Sequence, residues 1–204
     1  MDDMVKQGMA KWPNVPSVYG WLSLDRRGNW LIKGERITNP IVGDFIGRNY
    51  EHDNQGRWFF QNGPQRVFIS LDYTPYVYRL QWDPSPDARQ RLETHNKRRV
   101  SEINGVWIDE AGVVLIESEH GIGLVDDRDL ESLLGAFTGE RGGALTEEEI
   151  GAAIERLQAG SAANLALAYL GKTALVKPIA SVDVPAHFSF VARPLQPAGE
   201  QECY

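Results

Sequence analysis

A histidine flanked by carboxylates is a common source of general acid–base chemistry, and this sequence offers one such trio, Glu51-His52-Asp53. A catalytic site assembled from residues distant in sequence would pair His52 with Asp53 or with Asp44. The ordinary alternative for the trio is a solvated loop. Adjacent residues rarely converge on one ion, and His52, His95, His120 and His187 fall in four different segments without a second ligand at the spacing of a helical or hairpin metal site. No metal site is expected, and His187 reads as a histidine on a strand. Cys203, the single cysteine, excludes an intrachain disulfide framework and a multi-cysteine zinc site, and has no acid–base partner near it in sequence. Ala166-Leu-Ala-Tyr-Leu-Gly171-Lys172-Thr173 misses the first glycine of a phosphate-binding loop, and the residues after it read as a strand where that loop needs a helix. A hairpin turn is the simpler reading. With no Gly-x-Ser-x-Gly, His-Glu-x-x-His or dinucleotide fingerprint present, no catalytic residue and no cofactor are assigned.

Binding chemistry is better represented. Trp21, Trp30, Trp58, Phe59 and Phe60 with Arg57, Arg66 and Arg79 are residue types that stack on and neutralise single-stranded nucleic acid. Strand aromatics more commonly fill a core, and no RNA-recognition signature accompanies them, so a nucleic-acid partner is not expected. The turn Gln61-Asn-Gly-Pro-Gln-Arg66 sets polar side chains around a forced bend beside aromatic residues, an arrangement suited to recognition on a rigid scaffold. Arg26, Arg57, Asn62, Gln65 and Arg66 are accordingly the candidate ligand-binding residues, for contact with an anion or a peptide.

These residues need elements to hold them. Val18–Leu24, the turn Asp25-Arg-Arg-Gly28 and Asn29–Lys33 read as a hairpin; Asn39 and Pro40 read as the cap and first residue of a short helix over Ile41–Ile46. Arg57–Gln61 and Gln65–Leu71 form a second hairpin, and Tyr76–Leu80 a further strand. The order is β-β-α-β-β-β. It recurs: Asp109-Glu-Ala-Gly112 followed by Leu115-Ile116 restates Asp25-Arg-Arg-Gly28 followed by Leu31-Ile32 at an offset of 84. A helix with Leu130, Leu133, Leu134 and Phe137 on one face follows, then a hairpin over 167–177 and a post-proline strand Pro185–Phe190 at an offset of 110. The expected fold is α+β, with two tandem repeats of small, mostly antiparallel sheets: 12–82, a linker with a short helix over 83–102, and 103–194. The second copy carries a helical insertion at about 138–161, opened by the capping box Thr146-Glu-Glu-Glu149. The alternative is one α+β domain without repeats.

The chain of 204 residues is long enough to bury a core without metals or disulfides. Its net charge of −7 is uneven, with 15 Lys/Arg against 11 Asp/Glu in residues 1–100 and 6 against 17 in the rest. Fourteen of the 20 aromatic residues precede Asp83. A basic, aromatic half and an acidic half are complementary, within one chain or between two copies, so a homodimer is an alternative arrangement. No apolar run reaches the roughly 18 residues of a membrane span, and the expected compartment is the cytoplasm.

The motifs Trp12-Pro-Asn-Val-Pro16, Tyr19-Gly-Trp-Leu-Ser-Leu-Asp-Arg-Arg-Gly28 and Arg57-Trp-Phe-Phe-Gln-Asn-Gly-Pro-Gln-Arg-Val67 resemble those of a family of uncharacterised proteobacterial proteins. The order from Leu24-Asp25 through Asp72 and Pro75-Tyr-Val77 is similar to the bacterial domain-of-unknown-function family numbered 1285. That resemblance implies internal repeats and a signalling or ligand-sensing role, and it transfers no catalytic residue. The expected function is a non-catalytic regulatory module that binds a small ligand or a protein partner, with the groove between the copies as the favoured site. The rivals are the His52-based enzyme and a dimeric scaffold.

Overall fold

One turn design recurs through the chain and fixes several of its hairpins. Oδ1 of Asp25 accepts the backbone N–H groups of Arg27 and Asn29 at 2.9 and 2.8 Å, and Gly28, at φ +77°, donates back to the Asp25 carbonyl. Asp53 does the same for Gln55 and Arg57, and Asp109 for Ala111 and Val113, each followed by a glycine at positive φ. This is a tight turn closed by a left-handed residue, in which the carboxylate satisfies donors that the bend strips of partners. Thr94 plays the part of the aspartate once more, with Lys97 in the left-handed position.

The computed structural model describes residues 1–12, 15–82 and 90–198. The chain divides into two units, Met1–Pro75 with Phe188–Tyr204, and Tyr76–His187. Cys203 and the Asp83–Arg89 part of the expected linker lie outside the described residues.

The first unit runs α1 (Asp3–Lys11), β1 (Val18–Leu24), β2 (Trp30–Ile32), β3 (Glu35–Arg36), α2 (Pro40–Arg48), β4 (Tyr50–His52), β5 (Trp58–Asn62) and β6 (Gln65–Leu71). Its sheet has the order β3-β2-β1-β6-β5-β4, antiparallel throughout except for the central parallel pair β1/β6. Asn39 caps α2, its side chain accepting from the Ile41 N–H at 2.9 Å, and Pro40 stands in the first turn, as the sequence predicts. Under α2 the sheet presents Leu22, Leu24, Trp30, Phe60 and Ile69, and Phe45 of the helix meets Phe60 edge-on at 5.4 Å. The other face carries Phe59 and Phe68, with Tyr19 stacked on Phe68 at 4.6 Å. The C-terminal segment returns to this unit: Val191 bridges Arg57, and the Leu71 N–H donates to the Ala192 carbonyl at 2.7 Å.

The second unit contains β7 (Tyr76–Trp82), β8 (Gln90–Thr94), β9 (Ile103–Ile108), β10 (Val114–Ser118), β11 (Gly121–Val125), α3 (Leu130–Leu134), β12 (Phe137–Thr138), α4 (Glu147–Gln158), β13 (Ala166–Tyr169), β14 (Lys172–Pro178) and α5 (Val184–His187). Its strand order is β12-β13-β14-β9-β10-β11-β7-β8. The six strands β11-β10-β9-β14-β13-β12 stand in the order of β3-β2-β1-β6-β5-β4, with the same central parallel pair, β9/β14, and with α3 linking the same two positions as α2. One link matches bond for bond. The Gln61 N–H donates to the Asn49 carbonyl at 2.9 Å, and the Ala168 N–H to the Ala136 carbonyl at 2.8 Å. The protein is α+β, in two parts. α4 sits between β12 and β13, opened by the expected capping box at Thr146 and Glu149.

Several elements depart from the sequence reading. Tyr76–Leu80, read as the last strand of the first half, lies in β7, which pairs with β11 and β8 and so belongs to the second sheet. Gln90–Thr94 is a strand where a linker with a short helix was expected. Pro185–Phe190, read as a strand bearing His187, instead begins within the helix Val184–His187; proline is compatible with a first helical turn, and the fully buried Val184 anchors it. The hairpins close at Asn62/Gln65 and Tyr169/Lys172, so the offset there is 107 where the sequence reading gave 110.

A charge network around a buried carboxylate ties β7 to the start of α3. Asp126, fully buried, accepts from the backbone N–H and Nε of Arg128 at 3.0 and 2.8 Å and from its Nη2 at 2.6 Å. Arg79 donates to Asp129 at 2.6 Å and lies 3.7 Å from Asp126. Burial pushes the Asp126 carboxyl up, but the hydrogen bonds from Arg128 and the charges of Arg79 and Arg128 outweigh it and hold the pKa at about 2.

Two predictions follow from these contacts. Because the Asp126 pKa is depressed on folding, its stabilisation, about 2 kcal/mol, is complete above the unfolded value near 4 and is lost as pH falls toward 2. In urea unfolding, Asp126→Asn is expected to be less stable than the parent at pH 6, with the gap narrowing to about a third of that value by pH 2.5. Separately, a Cβ at Gly56 would lie 2.2 Å from the Ser189 carbonyl oxygen, whereas at Gly112 it meets only the end of the flexible Gln158 side chain. Both glycines have positive φ, so Gly112→Ala should cost about 1 kcal/mol and Gly56→Ala about 3 kcal/mol in the same assay.

Candidate functional site

A bulge prepares the site. Gly20, at φ +72°, shifts the β1/β6 register between Val18 and Leu22. Adjacent residues on a regular strand point to opposite faces, but after this irregularity Trp21 and Leu22 both line one pocket. The pocket has a volume of about 380 Å³ and lies between α2 and the sheet of the first unit. Val42, Phe45 and Ile46, spaced three and four apart, form its helical wall, and Leu22, Phe60 and Val67 its floor. Trp21, Ile32 and Val42 remain 37 to 46% exposed around it, and Asn62 and Gln65 add the two amides of its lining. The volume falls within the range of roughly 300–1,000 Å³ common to small-molecule sites, which likewise combine apolar walls with a few polar groups.

Of the candidate ligand-binding residues, the structure brings Asn62 and Gln65 together at this pocket and places the three arginines elsewhere. Gln65 Nε2 donates to the Pro16 carbonyl at 3.2 Å. Arg57 and Arg66 lie on the other face of the sheet, their guanidinium groups 4.6 Å above Phe68 and 4.7 Å above Phe59. Arg57 is also paired with Asp53, with Nε and Nη2 each 2.7 Å from Oδ2. Arg26 is exposed at the end of the first hairpin, 4.6 Å over Tyr73. The sequence offered Gly20 as the sign of the bulge that builds the pocket, and the reading of Val18–Leu24 as a regular strand passed over it.

The carboxylate proposed to serve His52 has other partners. Burial raises the Asp53 pKa, but the side-chain and backbone hydrogen bonds from Arg57 and the backbone hydrogen bond from Gln55 outweigh it and hold the group below the usual aspartate value. His52 is exposed, packs on Trp58, and places Nδ1 3.0 Å from the Asp53 backbone carbonyl oxygen. Among the described residues, no group of three His, Cys, Asp or Glu side chains is arranged to hold a metal ion, and no helix is long and apolar enough to cross a membrane. Leu170 and Gly171 form a turn with both residues at positive φ between β13 and β14, so Lys172-Thr173 begins a strand.

The second unit has a pocket of similar volume, about 380 Å³, reached by Leu133, Leu167 and Tyr169. Tyr169 closes its hairpin as Asn62 closes the first. Its hydroxyl donates to the Val100 carbonyl at 2.8 Å and accepts from the Leu92 N–H at 3.1 Å, so that this position is engaged with the unit's own backbone.

One solved structure shares the fold, and a second is similar over part of the chain. A DUF1285 family protein from Silicibacter pomeroyi DSS-3 is 15% identical over 81% of this chain and 85% of its own, with a TM-score of 0.52. A DUF1285 family protein from Shewanella baltica OS155 is 11% identical over 59% of this chain and 92% of its own, with a TM-score of 0.43. No curated protein matches. The model of the family DUF2944, described as "Protein of unknown function (DUF2946)", matches residues 1–195, and the chain belongs to that family.

Proposed function

We propose that the protein is a non-catalytic binding module whose ligand enters the apolar pocket beneath α2 in the first unit. The observation that carries this reading is the open pocket itself, with nine apolar residues and two amides in its lining. In a small sheet with a well-filled core, apolar side chains left partly exposed around a concavity are groups that a ligand can desolvate. The engagement of Asp53 by Arg57 and by its own turn weighs against the His52-based enzyme. A regulatory role fits a module that binds without transforming its ligand. We further propose that the two units descend from one duplicated plan, on the strength of their common strand order and the matching Asp-x-x-Gly turns at Asp25 and Asp109. A cytoplasmic setting fits the acidic balance and the absence of any disulfide framework.

Nile red, a neutral apolar dye, is the first probe. The parent is expected to take it up with a rise in emission, and Val42→Trp, which fills the pocket from the helical wall, to weaken uptake at least tenfold without lowering the unfolding midpoint. Uptake unchanged in Val42→Trp would overturn the assignment of the pocket.

A further inference from the structure

We infer that the ligand of this pocket is a free, linear amphiphile with an apolar tail and one anionic head, a carboxylate foremost, and that Lys33 holds the head. This rests on the reading of the pocket as a binding site and adds the ligand's chemical class. The shape comes from the register. Leu22 pairs with Ile32 on one side and with Ile69 on the other, Val18 pairs with Val67, and Val67 with Phe60. The lining therefore spans four neighbouring strands, β2 to β5, a distance of roughly 14 Å across three interstrand gaps. A slot of that length with no charged residue in its lining suits an alkyl chain laid across the sheet.

The charge sits at one end. Lys33 follows Ile32 in a turn with Gly34, and its backbone N–H donates to the Trp21 carbonyl at 2.7 Å. Its Nζ stands 3.9 Å from the centre of the Trp21 ring, so the ammonium is held against a residue of the pocket lining. No carboxylate pairs with Lys33 among the described residues. Arg57 is paired with Asp53, Arg48 with Asp2 and Lys6 with Asp3, while Arg26 and Arg66 lie over Tyr73 and Phe59, away from the pocket. At the far end of the slot the lining offers only the amides of Asn62 and Gln65. Glu35, opposite Ile32 in the β2/β3 register, forms no ion pair with Lys33, and an apolar trough with an ammonium held against the aromatic ring at one end is complementary to a tail with a single negative head.

The test measures displacement of Nile red by decanoate, 1-decanol and decyltrimethylammonium, all below their micelle-forming concentrations. Decanoate is expected to bind more tightly than decanol by roughly three- to fivefold, the increment of an exposed ion pair, and decyltrimethylammonium more weakly than both. Lys33→Gln should bring decanoate to the affinity of decanol while leaving decanol unchanged, and Lys33→Arg should keep the preference. Equal binding of decanoate and decanol by the parent, or a preference that survives Lys33→Gln, overturns the role of the anionic head while the pocket remains a binding site. If the dye binds the pocket and none of the three amphiphiles displaces it, the amphiphile class falls. If the dye itself fails to bind there, the binding module falls with it. Sedimentation with phosphatidylglycerol vesicles, in the absence of decanoate uptake, would assign the surface to a membrane and overturn the free ligand.

Discussion

In the first unit, β1 and β6 lie side by side and parallel at the centre of the sheet, and a parallel pair cannot be joined by a tight turn. The chain must build outward from β1 to one edge and then inward from the opposite edge to β6, which sets β3 and β4 as far apart as the sheet allows. α2 joins those two edges. Five interstrand gaps amount to about 24 Å, while nine helical residues cover about 14 Å, so the helix with its flanking segments forms a strap across one face. A straight helix laid over a twisted sheet does not meet it evenly along its length. The pocket opens between these two surfaces, bounded where Phe45 of the helix meets Phe60 of the sheet edge-on.

The second unit works under the same constraint with different side chains. Its strap is shorter, five residues in α3 after a 3-10 turn capped by Asp126. Position by position the hairpins correspond, yet where the first unit has the exposed Asn62 the second has Tyr169, bonded to the backbone of Leu92 and Val100. Aromatic residues fill both faces of the first sheet, with Trp30, Phe60 and Phe45 on one side and Tyr19, Phe59 and Phe68 on the other, while Tyr76 and Tyr78 belong to the second sheet, which adds β7 and β8 and a longer helix, α4.

Features carried by local chemistry were legible in the sequence: the Asp25 and Asp109 turns, the Asn39-Pro40 start of α2 and the Thr146 capping box each depend on residues no more than four apart. Features that depend on long-range pairing were not. Nothing local distinguishes Tyr76–Trp82 as a strand of the first sheet from one of the second, since its assignment rests on β11, some 45 residues later in sequence. β3, two charged residues long, and α1, with Val5 its buried residue, carry too little apolar periodicity to be seen. The site divides less cleanly. The polar turn at Asn62–Gln65 was visible, whereas the engagement of Arg57 required knowing that Asp53, four residues away, would close its turn around it. The joint contribution of Trp21 and Leu22 required a bulge that only the β6 register reveals.

The return of Val191 and Ala192 to the first unit bears on how the chain comes off the ribosome. Synthesis delivers β1 to β6 early, but the strand-edge partners of Arg57 and Leu71, and the carbonyl of Ser189 against which Gly56 closes, emerge only after the whole of the second unit has been made. The amino-terminal sheet is therefore translated first and completed last, and until the tail arrives the backbone groups of Gly56, Arg57 and Leu71 lack the partners that the finished unit gives them.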